Sequence, residues 1–257
     1  MSTVVLAIAR LTLLELVRNR LIWLAVAAVL LALGVADFLA NVALSETTRF
    51  QSAILGAALR ASAVFIVSLF VVASMNREIA DKGFEMLLSL PVPRGAYLAG
   101  KLLGFGTAAV TLALLFGAAA MIHAPFDQVI IWTASLTAEL WLVVAVSILT
   151  VLTFVQVPAA VASALAFYVF ARSVAALQLM GHGPMNSASA TPLFDFATWG
   201  IDAAAWVLPD LHTYTKTEWL VYHSASWSDL GPIFGQTVIY LTFLALAAAF
   251  DLYRKNL

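Results

Sequence analysis

The sequence contains no cysteine. That excludes a disulfide framework and any zinc site built on thiolates. Charge is scarce as well. Only 11% of the 257 residues are Asp, Glu, Lys or Arg, against about 25% in an average soluble domain. That leaves too little polar surface to cover a globule in water. A basic excess is missing too. The net charge is −1, whereas a nucleic-acid partner requires a basic surface, so no nucleic-acid partner is expected. Disordered chains combine low hydrophobicity with high charge, so that class is excluded from the other side. Apolar side chains are what the sequence has in quantity: 63% of residues are hydrophobic and the mean hydropathy is +0.99. At about 20 residues per helical crossing, the apolar runs fit six spans. The expected fold is an all-α polytopic membrane protein, one domain over residues 1–257.

The spans are expected near 21–39, 53–74, 102–122, 129–154, from the break at Pro158 to about 180, and 233–250. Arg10, Glu15 and Arg18 interrupt the opening residues 1–20, which read as an interfacial amphipathic helix rather than a cleaved signal peptide. Orientation follows from Lys and Arg. With the N-terminus inside, Arg10, Arg18, Arg20, Arg77, Lys82, Arg94, Lys101, Arg254 and Lys255 are all cytoplasmic. Both termini are then expected in the cytoplasm. Trp132, Trp199, Trp206, Trp219 and Trp227 fall on the outer side, as interface-seeking aromatics do.

Residues 76–101 carry the most information. They read as a short charged helix, then Leu87-Leu88-Ser89-Leu90 stopped by Pro91 and Pro93, then a new helix opened by Arg94, Tyr97 and Lys101. Proline cannot continue a helix interior, so a bend is expected there. A compact, charged, bent element at a membrane surface suits docking of another protein. An ordinary loop whose charges hold the topology fits the same spacing. The residues Glu78, Gly83, Glu85, Leu87, Leu88, Ser89, Pro91, Arg94, Tyr97, Gly100 and Lys101 resemble the cytoplasmic signature of permease subunits of ABC-2-type transporters. The opening stretch from Ala9 to Arg20 is similar to that family's start, and the layout of spans agrees with its exporter fold.

The resemblance implies a transmembrane subunit that pairs with a second permease copy, a homodimer in the simplest case, and with two ATPase subunits. ATP and magnesium would be bound there; no cofactor and no covalent chemistry are expected on this chain. The segment at 76–101 would be the coupling helix seated in the ATPase. Glu78 and Glu85 would contact the ATPase, Gly83 would supply flexibility, Pro91 would end the docking helix, and Leu88 and Arg94 would complete the surface. Gly95 to Lys101 has the spacing of a phosphate loop, but Leu102 follows where Ser or Thr is needed and no strand precedes it.

Glu139 and Arg172 are the clearest intramembrane charges. Measured from the bend between spans 4 and 5, both lie about 25 Å along their helices, at similar depth. An ion pair would lower the cost of burying each. It would either lock spans 4 and 5 together or serve as a gate or substrate contact. Met121 with His123 and Met180 with His182 present thioether and imidazole at spacings that suit a soft metal such as Cu(I). Some permeases of the resembled family serve copper-enzyme maturation. Border histidines and methionines are otherwise ordinary interfacial residues. Residues 181–232 form a long outer segment, with an amphipathic helix at 193–208 that lies on the outer leaflet, covers an exit route or meets an outer partner. Gly100 and Gly104 form a G-x-x-x-G step suited to close helix approach. An ion-coupled secondary transporter using Glu139 and Arg172, and a membrane assembly factor for a metalloenzyme, are the competing functions.

Overall fold

The computed structural model describes residues 2–42, 47–81, 93–154, 156–182 and 192–254. All regular structure in them is helical. A short helix, α1 (Ser2–Arg18), precedes α2 (Leu21–Val42) and α3 (Thr47–Ala80). Then come α4 (Arg94–Ala120), α5 (Phe126–Thr153) and α6 (Val157–Gly181). The segment after α6, outer in the orientation expected from the Lys and Arg distribution, holds α7 (Pro192–Val207), a 3₁₀ turn at Leu211–Thr213, α8 (Thr217–Tyr222) and a second 3₁₀ turn at Trp227–Asp229. The chain closes on α9 (Leu230–Arg254).

Six of these helices are long and apolar enough to cross a membrane, and the chain is a multi-pass membrane protein. Helices satisfy every backbone donor and acceptor internally, which hydrocarbon demands. Prolines stand where their missing N–H is harmless: Pro93 and Pro125 cap α4 and α5, and Pro158 sits in the first turn of α6. Helix α5 is the axis of the bundle, packed by α3, α4, α6 and α9. Helices α2, α6 and α9 lie at the periphery of the bundle, α2 against α3, and present Trp23, Leu31, Phe38, Val169, Ile239 and Phe243 outward. In water such faces drive aggregation; in lipid they match the solvent.

Several lengths differ from the sequence expectation. Helix α3 has 34 residues, about 50 Å, so it projects beyond a hydrocarbon core of about 30 Å and carries Arg77 and Glu78 past the apolar run. Trp132 and Trp219 are buried in the bundle rather than interfacial, whereas Trp199, Trp206 and Trp227 are exposed as expected.

Helix α1 lies against α4 along the small-residue step. A β-carbon on Gly100 would come within 2.8 Å of the Ile8 Cβ, and one on Gly104 within 2.7 Å of the Thr12 Cβ. The missing side chains therefore set how closely the two helices approach. The buried face of α1 is Ile8, Ala9, Thr12 and Leu16, and its free face is Leu6, Leu11 and Leu14. Thr12 is hidden by bonding back to the Ile8 carbonyl at 3.0 Å. Gly104→Leu should force α1 off α4 at a cost of about 1–3 kcal/mol. The check is a lower thermal unfolding midpoint of the purified protein in detergent.

Candidate functional site

Two polar clusters interrupt the apolar bundle. The outer one centres on Glu139 in α5, which is fully buried. Arg172 of α6 reaches its Oε1 at 2.9 Å. The Tyr168 hydroxyl, one helical turn earlier, donates to the same oxygen at 2.8 Å. The Thr215 hydroxyl donates to Oε2. A carboxylate held by a guanidinium and two hydroxyls has the donors that a buried charge requires.

Thr215 belongs to the outer segment, which does not stay outside the bundle. After α7 the chain dips inward. Leu211, Tyr214, Thr215, Trp219 and Leu220 are all buried. Arginines draw its backbone in. Arg172 donates to the Leu211 carbonyl at 2.9 Å and to that of Tyr214 at 3.2 Å. Arg60 of α3 donates to the Thr215 carbonyl at 3.0 Å. The Thr215 N–H donates to Ser135 Oγ at 2.9 Å. Thr215 adopts φ 39°, a left-handed conformation unusual for a β-branched residue, held by its three partners Glu139, Arg60 and Ser135. Tyr214 is anchored separately: its hydroxyl donates to the Ile233 carbonyl at 3.0 Å and lies 2.9 Å from Thr237 Oγ1. Burial pushes the Tyr214 phenol up to about 12. The arrangement is a re-entrant element pinned by α3, α5, α6 and α9.

The expected pair of Glu139 and Arg172 is thus in contact, but as part of a larger set. Arg60, Ser135, Tyr168 and Thr215 were missed by sequence reasoning. Arg60 carried a usable signal, being a single charge set between apolar runs in the middle part of α3. Thr215 carried none.

The inner cluster joins α1, α3 and α4. Glu78 forms an ion pair with Lys101, and the buried Lys101 amine lies near the rings of Tyr97 and Phe105. Ser74 donates to Glu15 at 2.6 Å. Arg94 donates to the Leu252 carbonyl at 3.0 Å, at the end of α9 where the helix dipole favours a cation. Gly95 to Leu102 lies wholly within α4, so its phosphate-loop spacing is not a loop. Gly83, Glu85, Leu88 and Pro91 lie outside the described residues.

The histidine and methionine candidates are engaged separately. His123 meets Asp37 at 3.6 Å, and His182 meets Asp202 at 3.4 Å. Met121 and Met180 are exposed. Among the described residues no group of three or more His, Asp or Glu is arranged to hold a metal ion.

Breaking the outer cluster from one side strands a buried charge. Glu139→Gln or Arg172→Met should each cost about 3–5 kcal/mol. Neutralising both together should cost clearly less than the sum, a coupling that a double-mutant cycle in chemical unfolding measures. No family model matches the sequence and no curated protein matches it, so function is read from these residues alone.

Proposed function

We propose that the chain is a permease subunit of an ATP-driven, ABC-2-type transporter. It lies in a bacterial inner membrane with both termini in the cytoplasm. It works with a second permease copy and two ATPase subunits that bind ATP and magnesium. It exports a solute or transmits ATPase work to an outer partner. One observation carries the reading: the run from Glu78 to Lys101 with its Gly83, Glu85, Leu87-Leu88-Ser89, Pro91, Arg94 and Tyr97. The ion pair between Glu78 and Lys101 supports it, because it ties together the helix ends on either side of residues 82–92. Force applied to that stretch would be delivered to α3 and α4 jointly. Glu78 then acts as a brace within the permease, and Glu85 is the acidic contact for the ATPase. Helix α1 is the elbow helix in this reading, lying in the membrane interface with its leucine face toward lipid.

In energetic terms, closure of the ATPase dimer must stabilise one permease state over the other through differential contacts. The outer re-entrant element is the part that such a change would move. The ion-relay alternative is less well served by the geometry. Both Glu139 oxygens are taken by donors, and a proton carrier needs a free one.

The test is to search the neighbouring reading frames for one with a phosphate loop, co-express its product with this chain, and assay ATPase activity in lipid. Co-purification and permease-stimulated hydrolysis are expected. Glu85→Lys should reduce that stimulation severalfold while the permease remains folded. An unstimulated ATPase, or one indifferent to Glu85→Lys, contradicts the assignment.

A further inference from the structure

A groove of ≈ 540 Å³ opens between the C-terminal turns of α1 and α3, lined by Leu11, Leu14, Glu15, Arg18, Asn19 and Arg77. Two guanidiniums and one carboxylate leave its wall with a surplus positive charge. Arg18 and Arg77 are the basic residues in the last turns of their helices. Both are exposed, and neither forms an ion pair among the described residues. Their depth is set by the chain. The apolar span of α2 begins at Leu21, just after Arg18, and the apolar run of α3 ends at Ala73, before Ser74 and one turn before Arg77. Each guanidinium therefore starts within about 6 Å of the hydrocarbon boundary, the level of lipid head groups.

The other walls narrow the choice of ligand. Leu11 and Leu14 are large, exposed and apolar, an unfavourable lining for a site that serves a small aqueous anion. They suit acyl chains leaving the groove toward the membrane. The Glu15 carboxylate, oriented by the Ser74 hydroxyl at 2.6 Å, would repel free phosphate and attract an ammonium. We propose that this groove binds a phospholipid of the adjoining leaflet with an ethanolamine phosphodiester head group. Its phosphate sits between Arg18 and Arg77, its ammonium faces Glu15, and its acyl chains follow Leu11 and Leu14. Paired guanidiniums recognise phosphate oxygens through charge-assisted bonds. The proposal needs only the membrane setting and stands whether or not an ATPase drives the chain.

The full chain, stripped of lipid in detergent, is offered equal amounts of phosphatidylethanolamine and phosphatidylglycerol, and retained lipid is read by native mass spectrometry. Preferential retention of one phosphatidylethanolamine per chain is expected. Arg18→Gln with Arg77→Gln should lower retention about a hundredfold, about tenfold per arginine. Glu15→Gln should abolish the preference between the two lipids while total binding persists. If the double arginine variant fails to fold, the single variants are read instead, each with about a tenfold loss. Equal retention of both lipids by the unmodified chain overturns the proposal, as does unchanged retention by folded arginine variants. Displacement of the lipid by inorganic phosphate at matching concentration overturns it in favour of a free-anion site.

Discussion

The outer half of this protein depends on one carboxylate. Glu139 carries a charge at the centre of an apolar bundle with no access to solvent. An isolated ion there would cost several kcal/mol even after relaxation. The bundle meets that cost by bringing three donors from two elements: Arg172 and Tyr168 from α6, and Thr215 from a segment that would otherwise lie outside. The arginine that neutralises the carboxylate also grips the carbonyls of Leu211 and Tyr214. Pairing the charge and folding the outer segment inward are therefore one event. Arg60 and Ser135 complete the attachment from α3 and α5.

The inner half is organised by close approach instead. Gly100 and Gly104 let α1 settle onto α4, which brings Glu15 to Ser74 beside the ion pair of Glu78 and Lys101. The two halves share a rod. Helix α3 carries Arg60 toward the re-entrant segment and Glu78 toward Lys101, about 27 Å apart along its axis. Under the proposed function, a rigid helix bonded at both levels would be a direct mechanical link. Coupling of that kind requires an element with two discrete arrangements. The re-entrant segment, held by discrete polar bonds, is the part of the fold best suited to that role.

Much of this was legible in the sequence because hydrocarbon imposes a simple rule on composition. The six crossings follow from run length. Glu139 and Arg172 could be matched by counting residues from a shared bend, since a helix converts number into depth. The Gly100–Gly104 step marked a contact whose partner, α1, only the fold identifies. The re-entrant element was not legible. Residues 208–226 are short, mixed and without period, and their burial is decided by backbone carbonyls facing arginines, a feature that no side-chain pattern encodes. The same blindness affected Trp132 and Trp219. An aromatic residue near a span's end reads as interfacial unless the chain folding over it is known.

Because the chain has no native cysteine, the dependence of the outer segment on the buried carboxylate is open to one direct measurement. A single cysteine introduced as Leu220→Cys, at a buried position of the inserted segment, is challenged with a membrane-impermeant thiol reagent. Tyr222→Cys serves as the exposed control. The account predicts that the cysteine at 220 is protected in the otherwise unmodified protein and becomes reactive when Glu139→Gln is added, while the control reacts in both. Equal protection with and without Glu139→Gln would show that the segment is held by something other than the carboxylate. Labelling in both backgrounds would show that the segment is not inserted at all.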